Sequence, residues 1–261
     1  MTAVRFTAED QVLRIVLDGP GAMNSITPDV VAGLNAALDA AERDRSLRAI
    51  VVTGVGRAFS VGMDIDFLGA CFADPGGVFV PFIRGYHKLL DRLQDFPVPS
   101  IAAVNGLARA GGFELLLACD FVVAADEARV GDIHLGFGMV PGAGASMRAH
   151  RKLGDQRARA LLLTPTWLTG PRMVQWGLAI AHAPLADLDA EVAKITDSLR
   201  GRSRPAIATV KALLNAAGDL PLAEGLRLER EMFSRFLEEV PDMAEGYRAF
   251  VEKREPRWGD V

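Results

Sequence analysis

Apolar residues in this chain come in short runs closed by turn residues, and no other feature constrains its fold more. No run exceeds about six residues, and Leu115–Cys119 is among the longest. Runs of that length suit strands or pieces of buried helix; a membrane-spanning helix needs ~18 apolar residues. Val12–Leu17 is β-branched and ends at Asp18-Gly19-Pro20-Gly21. Ala49–Thr53 is broken by Gly54 and Gly56, and Ser100–Val104 and Phe121–Ala125 are further strands of this type. Between them lie helical patterns. Thr27-Pro28-Asp29 is a helix start, with Val30, Val31, Leu34, Leu38 and Ala41 on one face. Val80–Asp95 is a second helix, stopped by Pro97 and Pro99. Strands alternating with helices predict an α/β core. Beyond about residue 143 the pattern is helical, with helices expected over 143–153, 155–163, 170–177, 188–199, 205–216, 222–238 and 242–253.

Composition narrows the function. The chain has 261 residues, half of them hydrophobic, enough to bury a core without covalent staples. Its net charge of −4 lacks the basic excess of a nucleic-acid binder. Cys71 and Cys119 are too few for a disulfide framework or a four-thiolate zinc site. The four histidines are scattered and HExxH is absent, so no metal site is expected. The start, MTAVRFTAED, lacks the apolar segment of a signal peptide. The expectation is a cytoplasmic protein that enters no membrane.

Three glycine-containing stretches each follow a strand: Arg57–Ile65, Ala102–Asp120 and Gly131–Gly144. None matches GxxxxGK[ST] or GxGxxG. Each is either a tight turn or a place where backbone N–H groups approach a ligand. Glu114 lies among Phe113, Leu115, Leu116 and Leu117. Desolvation there suits a carboxylate to general acid–base work; the alternative is a first-turn acid that satisfies helix N–H groups. Gly111 and Gly112 precede it, and an N–H there, paired with one from Arg57–Ile65, would make an oxyanion hole.

The pairing of AFSVGMDI (Ala58–Ile65) with IAAVNGLARAGGFELLLACD (Ile101–Asp120) and VPGAG (Val140–Gly144) resembles the crotonase superfamily, the enoyl-CoA hydratase/isomerase family. The likeness runs over nearly the whole chain, including AMNSIT (Ala22–Thr27) and EGYRAFVEKREP (Glu245–Pro256). It implies a ββα spiral core over residues 1–200, with a C-terminal helical region, 201–261, in the same structural unit. It also implies homotrimers, often paired into hexamers, and an acyl-CoA substrate with no cofactor beyond the coenzyme A that the substrate carries. By position, the Met63 and Gly111 N–H groups would hold the thioester oxygen as it becomes an enolate. Coenzyme A would lie along Ala22, Met23, Asn24, Ser25, Ser60, Gly62, Asp64 and Ile65, with Phe250 and Lys253 reaching it from a C-terminal helix or a neighbouring subunit. Tyr86 falls in the helix that lines the acyl pocket in this family; a surface helix equally explains His87 and Lys88.

Hydratases of this family use two glutamates, and Glu114 matches the first. The second normally stands in GxPExxLGxxPGAG. Counting back seven from Pro141 lands on His134, with Ile133 in place of the proline. A histidine here resembles the diketone-hydrolysing branch, whose other acid and second histidine are Ala143 and Gly112 in this chain. Imidazole titrates near neutrality, and Asp132, two residues away, could orient it if the segment is extended. The other reading is that His134 only packs and hydrogen-bonds. Three functions therefore stand: hydratase/isomerase chemistry on acyl-CoA, hydrolytic carbon–carbon cleavage or decarboxylation using His134, and a non-catalytic acyl-CoA-binding homologue. Arg200, Arg202 and Arg204 are either a phosphate contact or a solvated helix end, and His150 and His182 receive no role.

Overall fold

The computed structural model describes residues 2–19, 21 and 23–259. The first hairpin, β1 (Ala3–Glu9) and β2 (Val12–Asp18), turns at Asp10 and Gln11, both at positive φ. After it, α1 (Pro28–Arg43) starts where the sequence predicts, with the Val30 N–H donating to the Thr27 hydroxyl at 3.3 Å. Its buried face is Val30, Leu34, Ala37, Leu38 and Ala41; Val31 is only half-buried.

The chain then repeats one unit: a buried strand, a three-residue strand, then helix. The units are β3 (Ala49–Gly54), β4 (Ala58–Ser60), α2 (Ile65–Ala73) and α3 (Val80–Gln94); then β5 (Ser100–Val104), β6 (Leu107–Arg109) and α4 (Gly111–Ala118); then β7 (Phe121–Ala125) and β8 (Arg129–Gly131). Further on come α5 (Ala145–Leu153), α6 (Asp155–Leu163), α7 (Gly170–Trp176), β9 (Ala181–Ala183) and α8 (Leu188–Leu199). The long strands form a six-stranded sheet, β1-β2-β3-β5-β7-β9, parallel except for the first pair. The short strands form a second, parallel sheet, β4-β6-β8. Strands β3, β5 and β7 are buried almost throughout, as parallel strands covered on both faces must be. This is a ββα spiral. The glycine-containing stretches thus carry the second sheet, whose strands are too short for their periodicity to register in sequence.

Two asparagines set the entry to β4. Asn24 donates to the carbonyls of Val55 and Ala58, at 3.0 and 2.7 Å, and accepts from the Gly19 N–H. Asn105 donates to the carbonyls of Gly56 and Ala58 and accepts from the Gly54 N–H. Gly112 at the start of α4 packs on β4, where a Cβ would stand 2.1 Å from the Ser60 carbonyl oxygen. These contacts bring the ends of β4 and β6 together.

The C-terminal region is helical, with α9 (Arg204–Ala217), α10 (Leu222–Glu239) and α11 (Asp242–Glu252). Lys211 ties α9 to the sheet. Its ammonium donates to Asp120 at 2.6 Å and to the Val98 carbonyl at 3.2 Å, and Asp120 also accepts from the Ser100 N–H and hydroxyl. Helix α10 buries no residue and exposes Leu222 and Phe233, while α11 exposes Tyr247 and Phe250. Among the described residues no helix is long and apolar enough to cross a membrane.

Candidate active site

A cavity of about 340 Å³ opens where β4, β6 and β8 end. One wall is α2 and α3, on which Phe67, Phe82 and Tyr86 form an aromatic row. Across from it lies the turn through His134 and Phe137 to Val140 and Gly142. The floor is the start of α4, with Gly111 and Glu114.

Glu114 sits in the first turn of α4 and is buried. Its Oε1 accepts from the N–H groups of Ala143, at 2.7 Å, and Ala145, at 3.4 Å. Thus the PGAG turn and the N-terminus of α5 fix this carboxylate. The helix expected from residue 143 begins at Ala145 because Gly144 is left-handed, and that break frees those amides. Oε2 has no partner among the described residues. Burial pushes the Glu114 carboxyl above the usual glutamate range, partly offset by the charge of His134 and the two N–H groups.

His134 Nδ1 lies 2.5 Å from Asp132 Oδ1, both side chains nearly inaccessible. The pairing expected of an extended segment arises differently. Ile133 is at φ −126°, ψ 5° and His134 opens a 3-10 turn, so the chain bends between the two residues. Nε2 of His134 has no partner among the described residues. Burial pulls the His134 pKa down, but the hydrogen bond and charge of Asp132, with the charge of Glu114, carry it above the ordinary value of 6.5. The two groups are therefore poised oppositely. Asp132 favours an imidazolium, while backbone N–H groups hold Glu114 ready to ionise.

Met63 and Gly111 line the same cavity, and neither N–H donates to an acceptor among the described residues. Gly62 brings them together. It is left-handed at φ +85°, and a Cβ there would stand 2.8 Å from the Gly111 nitrogen. The carbonyl of Gly111 is held by the Tyr86 hydroxyl at 2.7 Å. Tyr86 is only 2% exposed, and burial raises its pKa well above the usual value, so it is a neutral donor.

Of the other residues expected to bind coenzyme A, Met23, Ser25, Asp64 and Ile65 line the cavity. Ser25 donates to Asp64, which caps α2 through the Asp66 and Phe67 N–H groups. Asn24 and Ser60 are fully buried, and neither they nor Gly62 line the cavity. Phe250 is 83% exposed on α11 and Lys253 follows that helix; neither meets the cavity within this chain. Ala22 lies outside the described residues. His87 and Lys88 are off the lining, and His87 faces Asp91. Arg200 pairs with Asp10 and Asp197, Arg202 bonds the Ser198 carbonyl, and Arg204 is buried rather than solvated. His150 faces Asp155, and His182 has an acid partner, Asp126, that sequence distance hides.

The Enoyl-CoA hydratase/isomerase family model matches residues 7–261. The chain belongs to that family. It is 35% identical to a probable enoyl-CoA hydratase of Rhizobium meliloti, covering 92% of this chain and 91% of that one. It is 34% identical to the 2,3-dehydroadipyl-CoA hydratase of Escherichia coli, covering 98% of each. Among solved structures, an enoyl-CoA hydratase from Polaromonas sp. JS666 superposes with a TM-score of 0.92 at 34% identity, over 98% of this chain and 100% of that one. The crotonase fold and an acyl-CoA enzyme of the hydratase/isomerase type follow. Several apolar lining residues, such as Phe82, Ile83 and Phe137, escape the sequence reading, and so does one cation, Arg109 in LARAGG. Its signal is a charge inside an otherwise apolar and glycine-rich run.

Proposed function

We propose that this chain adds water to, or shifts protons on, an enoyl-CoA thioester seated in the 340 Å³ cavity. The observation that carries the reading is the facing of Glu114 and the Asp132–His134 pair across a cavity with two unclaimed N–H donors. Met63 and Gly111 hold the thioester oxygen. Glu114 Oε2 takes a proton from water as the water oxygen bonds the β carbon. The double-bond electrons move onto the thioester oxygen as an enolate. The enolate collapses as the His134 imidazolium gives its proton to the α carbon, and proton exchange with solvent restores both groups. Preorganised donors aimed at the developing oxyanion supply the largest part of such a rate enhancement. Coenzyme A arrives with the substrate, and the chemistry calls for no further cofactor.

The test is turnover of a panel of enoyl-CoA thioesters by the parent, Glu114→Gln and His134→Ala proteins, with products read by mass. Gain of one water, abolished in both variants, is the expected result; undiminished turnover in both variants refutes the assignment. The Asp132–His134 pair also favours a second reading, attack of activated water on a carbonyl with carbon–carbon cleavage. A shortened acid in the same assay identifies it.

The reading includes a homotrimer or a dimer of trimers in the cytoplasm. The exposed apolar residues of α10 and α11 support assembly. Light scattering on the purified protein tests the oligomeric state.

A further inference from the structure

Arg109 has no role in the scheme above. It ends β6, two residues before Gly111, and lines the cavity. Ala108 beside it is fully buried, so strand alternation turns Arg109 away from the core. Its register partner on β8 is Gly131, which offers no side chain to cover it. Its Nε is shut off from solvent yet makes no hydrogen bond. Among the described residues the guanidinium has no carboxylate, carbonyl or aromatic partner. Neither cavity acid beside the entrance neutralises it: Asp64 is taken by Ser25 and the α2 cap, and Asp66 is exposed. No other lysine or arginine lines the cavity among the described residues.

A buried N–H without an acceptor is rare in folded proteins and calls for an explanation; Arg204 Nε on α9 is in the same state, but of the two only Arg109 lines the cavity. A guanidinium calls for a planar or tetrahedral oxyanion, which it binds through parallel N–H bonds. The strand fixes the backbone, and two residues span at most about 7 Å between Arg109 and Gly111. One ligand can therefore reach both the Gly111 N–H and the Arg109 side chain.

We propose that Arg109 is an anion-recognition residue of this cavity, binding the phosphate or carboxylate oxygens of an acyl-CoA ligand. The proposal rests on the acyl-CoA reading. It predicts a thioester that carries its negative charge within an arginine's reach of the reacting carbonyl or along the entry from Met23 and Val61.

Calorimetric titration of the parent and Arg109→Leu proteins with four ligands tests it: butyryl-CoA, butyryl-pantetheine, glutaryl-CoA and glutaryl-pantetheine. Butyryl-pantetheine is uncharged and should bind both proteins equally. Loss of a charged hydrogen-bond partner should weaken an anionic ligand by on the order of 10- to 100-fold. A loss seen with butyryl-CoA assigns Arg109 to the coenzyme's phosphates; a loss seen with glutaryl-pantetheine assigns it to an acyl carboxylate. Arg109→Lys should recover part of either loss. Equal affinities of Arg109→Leu and parent for all four ligands overturn the proposal, as does an equal loss for uncharged butyryl-pantetheine. If the parent protein binds none of the four, the acyl-CoA reading itself fails.

Discussion

Asp132→Asn isolates the contribution of the acid behind His134. The substitution keeps shape and a hydrogen-bonding oxygen but removes the charge. The 2.5 Å contact joins two side chains that are 9% and 1% exposed, so solvent screens it little. At an effective dielectric of about 20, Coulomb's law gives a gross attraction of roughly 7 kcal/mol at that distance. Desolvation of both groups cancels much of it, and the net worth of a hydrogen bond to a charged group is about 1.5–3 kcal/mol. If that interaction keeps His134 protonated and oriented in the transition state, its loss lowers kcat by roughly 10- to 160-fold.

The pH profile carries the sharper test. In the proposed mechanism His134 is the acid, so activity should fall as pH rises through its pKa, which Asp132, with a smaller part from Glu114, lifts above 6.5. In Asp132→Asn the alkaline fall of kcat/KM therefore moves to lower pH, while the acid limb, set by Glu114, moves less, since the Asp132 charge is the smallest of the influences on that carboxyl. Enoyl-CoA turnover from pH 5 to 9 measures both limbs. A kcat within twofold of the parent with an unmoved alkaline limb refutes the argument. A uniform loss at every pH makes Asp132 a support for the turn alone.

Glu114→Gln retains the oxygen that accepts from Ala143 and Ala145 but loses the base, so kcat should fall by about 10²–10⁴. Because burial raises the Glu114 pKa, ionisation costs stability as pH climbs past 4.5; the Gln variant should gain over the parent there, in denaturant titrations at pH 4 and 7. Ala110→Gly should stabilise the fold by about 1 kcal/mol in the same titration, since Ala110 is held at φ +46° and the strain relieved exceeds the entropy glycine adds. Lys211→Met should destabilise by roughly 3 kcal/mol, leaving Asp120 with Ser100 alone; a midpoint shift within error would show that α9 is held by packing instead.

The long strands and most helices are legible in sequence because an apolar face imposes a period on them, even on α10, which buries no residue in this chain; α2 is not legible. Thr27 and Pro28 even set the first residue of α1. The second sheet is not legible, because three residues carry no period and its strands lie inside glycine-containing segments. The first hairpin strand, β1, is mostly exposed and lacks the apolar run that marks a buried strand. In the site, Glu114 stands out locally as an acid among leucines. The identity of its partners does not, since Ala143 and Ala145 act through main-chain N–H groups that any residue but proline provides. The bracing role of the Asn24 side chain is not legible either, because the backbone groups it bonds, on Gly19, Val55 and Ala58, are remote from it in sequence.

Buried unpartnered atoms and positive φ occur at several places, Gln11 and Arg204 among them, but four consecutive residues at the cavity, Arg109 to Gly112, each break a local rule. Arg109 buries an Nε without an acceptor, Ala110 takes a left-handed φ without being glycine, and the Gly111 N–H donates to nothing within the described chain. Gly112 then has no room for a Cβ against Ser60. Each violation costs stability alone, and folded proteins keep such costs where a ligand or a reaction repays them. The surrounding sheet leaves the segment little choice. Ladder pairing fixes β6, Tyr86 holds the Gly111 carbonyl, and Asn24 and Asn105 clamp the neighbouring strand's entry. On the proposed reading, the positive φ of Ala110 is the cost of placing two unsatisfied donors, one main-chain and one guanidinium, on the same cavity. A ligand with a thioester oxygen for one and an anionic group for the other satisfies both at once.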